Sequence, residues 1–166
     1  LIEMNDKFKN STIILKSTIL PSFFIKNLKY LERVVYNPEF LREKYANEDF
    51  INSKMIILAG KSHEIKKVQK LYINNSVCKS DNFIFTDFQT ASLVKYSINS
   101  FLATKVLFFN QIKDIFDTFN EDTSWDDFTS IISQDDRIGE SHMLVPGPDG
   151  KKGFGGACFT KDTAAL

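Results

Sequence analysis

Cys158 stands in the stretch GFGGACFTKD (153–162), behind a cluster of glycines and just ahead of what reads as a helix start. A lone thiol packs as a small hydrophobe or is held as a thiolate where a substrate can reach it. Thr160 as a cap for the following turn would put the sulfur near a helix N-terminus and beside Lys161, and both would favour the thiolate. Gly153, Gly155 and Gly156 would let backbone N–H groups approach an anion, yet their spacing makes neither GxGxxG nor GxxxxGK[ST]. Phosphate cradle and surface loop both stay open. Lys95 and Asn99 lie four apart and share a helix face beside the apolar pair Val94 and Ile98, which turns them towards the packed side. A snorkelling lysine beside a polar boundary residue is the plainer account of them. Glu39 and Glu43 in NPEFLRE repeat the four-residue step, and as acids at a helix start they would complement its dipole. His63 and His142 are far from either cysteine, and no metal-ligand spacing begins at them.

The elements that must position these residues alternate in the first half. TIILKST (12–18), RVVYNP (33–38), MIILAG (55–60) and NFIFTD (82–87) are short β-branched or apolar runs that predict strands. PSFFIKNLKYLE, with Pro21 in a first helical turn, and EIKKVQKLYINN (64–75), with Ile65, Val68, Leu71 and Tyr72 at helical spacing, predict helices between them. Strand and helix in alternation suggest a parallel α/β sheet. From Asp87 to Phe119 there is no proline or glycine, and Val94, Ile98, Phe101, Phe108, Ile112, Ile115 and Phe119 recur at steps of three, four or seven. One long helix is expected there. TSWDDFTSIIS predicts a short helix capped by Thr123 or Ser124 with Asp126 and Asp127 in its first turn. The loop that follows, DDRIGESHMLVPGPDGKKGFGGAC, holds six of the seven glycines and two of the four prolines.

With 166 residues, 43% of them hydrophobic and 16 phenylalanines, the chain can bury a sizeable core. Its 21 basic and 21 acidic residues leave no net field to draw nucleic acid or an anionic membrane. No apolar run approaches the roughly 20 residues that cross a bilayer, and LIEMNDKFKN lacks a signal-peptide layout, so a cytoplasmic protein is expected. Cys78 and Cys158 are too few for a disulfide framework. The chain opens on Leu1 and stops at Leu166 inside the apparent helix KDTAAL, which suggests a fragment.

Taken together, KST (16–18), YNPEFLRE (36–43), KYSINSFLATKVLFFNQI (95–112), DRIG (136–139) and GFGGACFTKD (153–162) resemble, in order and with similar gaps, the nucleotide-sugar dehydrogenases. Phe159 after the cysteine resembles the branch acting on UDP-glucose. The resemblance implies the C-terminal half of a Rossmann-like parallel sheet over residues 1–86, then a long helix and an all-helical dimerisation domain over 87–166. It also implies NAD as cofactor, no metal, a homodimer and a four-electron oxidation of the sugar C6 alcohol to a uronate. In that chemistry Cys158 holds the aldehyde covalently so that it cannot diffuse away before the second oxidation. Lys95 and Asn99 would stabilise charge on the sugar oxygen, and Glu39 would be the base for the hydrolytic water, with Thr18 and Asp162 orienting it. The cofactor side would comprise Ser17, Thr18, Ile19, Glu43, Cys158 and Lys161. The substrate side would add Phe40, Leu41 and the run Lys151, Lys152, Gly153, Phe154 and Gly155, with Arg137 reaching across a dimer interface.

The sequence departs from the family pattern at STILPS, where Pro21 is displaced and a glycine lost, and at Ser92, where a glutamate is common. PDGKK lengthens the loop before Gly153. The glycine-rich dinucleotide fingerprint and a second α/β domain are missing, so the isolated chain is expected to be inactive. A GDP-mannose or UDP-N-acetylhexosamine enzyme, or a non-catalytic helical interaction module in which Cys158 merely packs, are the alternative readings.

Overall fold

In the computed structural model, residues 2–119 and 122–165 are described, without the side chains of Ile2, Asn5, Glu43, Phe119 and Ala157. Leu1 and Leu166 therefore lie outside the described residues. The chain divides into two compact units, Leu1–Lys95 and Tyr96–Leu166.

In the first unit, each strand predicted from an apolar run is present and somewhat shorter: β1 (Ile13–Leu15), β2 (Val34–Tyr36), β3 (Ile56–Gly60) and β4 (Phe83–Thr86). They form one sheet in the order β1-β2-β3-β4. Because side chains alternate across a strand, Ile13, Val34, Tyr36, Ile57 and Ala59 bury on one face, while Val35, Ile56 and Leu58 bury on the other. Helix α2 (Pro21–Lys26) covers the first face with Phe24, whose ring lies 4.9 Å from Tyr36. Helix α4 (Ser62–Asn75) covers the second with Ile65, Val68 and Tyr72.

The expected parallel pairing holds for β1 with β2 and for β3 with β4, whereas β2 and β3 are antiparallel. A strand buried on both faces reads as a continuous apolar run whichever way it points, so the letters carry no direction. The base of the 37–55 connection is tied by Asn37, whose Nδ2 donates to the Ile57 carbonyl at 2.9 Å. The chain thus re-enters the sheet at the end of the strands it left. A Cβ on Gly60 would sit 2.6 Å from the Val34 carbonyl oxygen, so only glycine allows this approach of β3 to β2.

The helix expected from Pro21 onwards breaks early. Asn27 ends α2 by donating Nδ2 to the Phe23 carbonyl at 2.8 Å, and Leu28–Tyr30 continue as a 3-10 turn. Two short helices lacked the periodicity to be foreseen: α1 (Ile2–Lys7) and α3 (Ala46–Ile51), the latter preceded by the 3-10 turn Glu43–Tyr45.

Helix α5 (Phe88–Phe119) runs for 32 residues, about 48 Å at 1.5 Å per residue, and contributes residues 88–95 to the first unit and 96–119 to the second. Its start is fixed by Asp87, which accepts from the Thr90 amide at 2.8 Å and the Thr90 hydroxyl at 2.6 Å. In the second unit α5 is joined by α6 (Trp125–Ile132) and α7 (Gly156–Ala165). Ser124 caps α6 as predicted, accepting from the Asp127 amide at 3.0 Å. Phe109, Met143 and Val145 form the core with Trp125 and Ile132 against it, and the indole Nε1 donates to the Met143 carbonyl at 3.1 Å. The predicted apolar stripe of α5 is partly outward. Phe101, Phe108 and Ile115 are 66%, 52% and 53% exposed, while the buried line comprises Tyr96, Asn99, Ala103, Lys105, Phe109, Asn110 and Phe116.

Candidate functional site

Parallel pairing puts the C-terminal ends of β1 and β2 side by side, so the residues that follow them meet. Lys16 Nζ lies 2.7 Å from Glu39 Oε1 and donates to the Tyr72 hydroxyl at 3.0 Å. The Tyr72 hydroxyl in turn donates to Asn37 Oδ1 at 2.6 Å. Burial acts to lower the lysine's pKa, but the bonds to Glu39 and Tyr72 outweigh it and raise the pKa above the ordinary value. Glu39 is therefore held beside a fixed cation in a loop, not at a helix start as its spacing with Glu43 suggested. Glu43 opens the 3-10 turn, and its side chain lies outside the described residues.

Phe40 is half-buried, and the Lys95 ammonium sits 5.0 Å from its ring centroid. Lys95 is only 8% exposed, so it does not snorkel into solvent. Leu41, Thr18 and Ile19 are half-buried, and Ser17 is exposed. Ser92, the departure from the family's glutamate, is fully buried and donates its hydroxyl to the Ile19 carbonyl. The serine secures the backbone of the KST-containing segment where it leaves β1.

In the second unit, α7 begins at Gly156, earlier than a Thr160 cap would require. Gly156 has φ +82°, a backbone suited to glycine, and Cys158 follows in the first helical turn with its thiol exposed. Cys158 therefore lies inside the first helical turn, not ahead of the helix as a Thr160 cap would have placed it. Asp162 is one turn further along the same face, since residues four apart on a helix are neighbours. It is fully buried, accepts from Asn99 Nδ2 at 2.5 Å, and is ion-paired with Lys161. Tyr96 is buried nearby, and burial, with the charge of Asp162, pushes its phenol pKa up. Arg137 is exposed and paired with Asp135 at 2.5 Å within its own loop. Lys151 and Lys152 are exposed, Gly155 also, and Gly153 and Phe154 are half-buried, the Phe154 ring 6.4 Å from Phe159.

A protein-family description, "UDP-glucose/GDP-mannose dehydrogenase family, central domain", matches residues 89–166, the part that carries Lys95, Asn99, Cys158 and Asp162. UDP-glucose 6-dehydrogenase of Rickettsia felis is 35% identical over 164 residues, 95% of this chain and 35% of that protein. Residues 89–166 thus match the central domain of this dehydrogenase family. A UDP-glucose dehydrogenase structure from the hyperthermophilic archaeon Pyrobaculum islandicum aligns with 92% of this chain and 35% of its own length, at TM-score 0.70 and 29% identity. The GDP-mannose dehydrogenase of Pseudomonas aeruginosa, at TM-score 0.63 and 23% identity over 95% of this chain and 38% of its own, shares the fold. The chain thus spans about a third of the length of the relatives it matches.

Four residues that hold site segments were not named as site residues from the sequence, although Asn37, Lys105 and Asn110 lie inside segments that resemble the family. Tyr72 and Asn37 fix Lys16, Lys105 donates to the Ile138 and Gly139 carbonyls at 2.9 and 3.1 Å, and Asn110 accepts from the Gly153 amide at 2.9 Å. Lys105 and Asn110 left one trace in the letters: they are polar residues at spacings that place them among the buried positions of an otherwise apolar helix. Among the described residues no group of three His, Cys, Asp or Glu side chains could hold a metal, and no helix is long and apolar enough to cross a membrane.

Proposed function

We propose that this chain carries the reaction centre of an NAD-dependent dehydrogenase that oxidises the C6 alcohol of UDP-glucose to the carboxylate through a covalent adduct on Cys158. One observation carries the reading: an exposed thiol in the first turn of α7 shares a helix face with a buried carboxylate, Asp162, held by Asn99 and Lys161. A thiolate gains from a helix N-terminus, and Asp162 already accepts from Asn99 and Lys161. UDP-glucose as substrate follows the names of the relatives, the R. felis protein among them.

NAD, when bound, would supply the hydride acceptor, one molecule for each of the two oxidations at C6. The exposed hydroxyl of Ser17 and the half-buried Thr18 and Ile19, at the C-terminal end of a parallel strand, fit one side of such a dinucleotide, as open α/β sheets bind ligands at that end. The sulfur of Cys158 adds to the C6 aldehyde, forming the C–S bond, while the carbonyl oxygen takes up the developing charge. Lys95 and Asn99 stabilise that oxygen. After the second oxidation the adduct is a thioester. Glu39 takes a proton from water, with Thr18 and Asp162 orienting it, and the attack breaks the C–S bond to release uronate and thiolate. The backbone of residues 151–155 binds the sugar-phosphate, with Phe40, Leu41 and Glu43 beside the sugar. Lys161 serves the cofactor side.

A second copy of the chain completes the assembly in this reading. Phe101, Phe108 and Ile115 are exposed at steps of seven on α5, a spacing that suits a helix-to-helix seam, and the largely exposed Arg137 is free of burial that would keep it from a partner's substrate. Two free cysteines fit the reducing cytoplasm.

The test is alkylation of the chain with iodoacetamide near neutral pH. Cys158 should react faster than a cysteine in an unstructured peptide and be protected by UDP-glucose. A rate no higher than the peptide's, without protection, would remove the thiolate from the mechanism.

A further inference from the structure

Asn110 is 8% exposed in the middle of α5, where a buried amide is costly unless its donors and acceptor are used. Both ends of the amide are engaged. Nδ2 donates to the Val106 carbonyl at 2.7 Å, and Oδ1 accepts from the Gly153 amide at 2.9 Å. The two partners are a carbonyl and an N–H, so only one orientation of the side chain satisfies them.

The Gly153 end of this bond lies in the loop that leads to Cys158. Gly153 has φ +87° and a Cβ there would meet nothing within 4 Å, so glycine serves the backbone conformation and not a lack of room. Three residues later Gly156, also at positive φ, opens α7. The direction in which the chain enters α7 is thus set between a tethered glycine and the helix start. One turn along α5, Asp114 pairs with Lys152, but both side chains are about 60% exposed, and an exposed pair contributes little. The buried bond from Asn110 is the firmer tether.

We infer that Asn110 is a positioning residue: its side-chain oxygen fixes the backbone of the glycine loop 151–155 in the form that receives the nucleotide-sugar phosphates and sets the entry of α7 that carries Cys158. This rests on the reading of the loop given above as the sugar-phosphate side. Asn110→Ala removes the acceptor and leaves the Gly153 N–H without its partner. Asn110→Asp keeps an acceptor in place, and Asp114→Asn removes only the exposed pair.

The experiment is amide hydrogen exchange by NMR on the whole chain, with UDP-glucose titrated in parallel against the amides of residues 151–155. Exchange at Gly153 should rise about tenfold in Asn110→Ala, the loss expected of one hydrogen bond. It should stay within about threefold of wild type in Asn110→Asp and Asp114→Asn. UDP-glucose should shift the loop amides of the wild-type chain and shift them less in Asn110→Ala at equal concentration. Equal Gly153 exchange in Asn110→Ala and wild type overturns the tether, as does equal loss of protection in the Ala and Asp variants. Faster exchange in Asn110→Ala, with wild-type loop amides that ignore UDP-glucose, upholds the tether and overturns the substrate reading of the loop.

Discussion

At the scale of single residues, the buried carboxylates Glu64 and Asp162 each receive hydrogen bonds from donors. Asp162 is the sharpest case, because a carboxylate with no exposed surface depends wholly on its partners. Asn99 supplies one bond and Lys161 an ion pair. Asn99→Ala is therefore expected to destabilise the second unit by about 1–3 kcal/mol, the range for leaving a buried polar group short of a partner. The check is the urea midpoint of the chain without ligand. An unchanged midpoint would mean that the Asn99–Asp162 bond contributes nothing to the fold. Glu39 shows a different use of a partner: Lys16 is held by the Tyr72 hydroxyl, so the carboxylate faces a cation that cannot swing away. In the proposed reaction this keeps the base aimed.

At the scale of elements, α5 supplies polar anchors to two different segments: the carbonyls after Arg137 and the glycine loop. Lys105 is nearly buried, and desolvation lowers its pKa, yet two carbonyl oxygens accept from it. The helix begins at a pH-sensitive cap. Hydrogen bonds from the Thr90 side chain and backbone hold the Asp87 pKa below the ordinary aspartate value. A carboxylate whose folded pKa is depressed binds protons more weakly folded than unfolded. Its contribution is therefore present above the ordinary value and is lost as pH falls through the folded one. Asp87→Ala should cost about 1 kcal/mol at pH 7, the usual worth of an N-cap. The difference between variant and wild type should shrink towards zero as the solution is acidified below the aspartate range, as read from urea unfolding at a series of pH values. A difference independent of pH would show that the cap acts through shape alone.

At the scale of the whole molecule, the feature left unexplained by the fold of one chain is the row Phe101, Phe108 and Ile115. Single exposed apolar residues are ordinary, but three at a regular seven-residue step on one helix mark a face that gains from being covered. If a second copy covers it, the wild-type chain should sediment as a dimer at micromolar concentration, and Phe101→Glu combined with Phe108→Glu should sediment as a monomer with its helix content retained. A wild-type chain that stays monomeric would leave this face to some other partner and withdraw the homodimer. The match to about a third of the relatives' length bears on the same scale, because substrate, cofactor and assembly are properties of whole enzymes.

Periodicity was enough to find the four strands, the crossover helix α4 and the long α5, because burial on one or both faces writes itself into the spacing of apolar residues. The same pattern could not say that β2 and β3 run antiparallel, nor which side of α5 packs, since Phe101 and Phe109 are equally apolar letters with opposite fates. Lys95, Asn99, Cys158 and Asp162 could be named as candidates from the segments that resemble the family. Tyr72, Asn37 and Asn110 were not, because each acts on a segment 35 or more residues away in sequence, as Tyr72 on Asn37 and Asn110 on Gly153. The residue types therefore determined which chemistry is available, while long-range packing alone decided which side chains hold those residues in place and which apolar row is left facing outward.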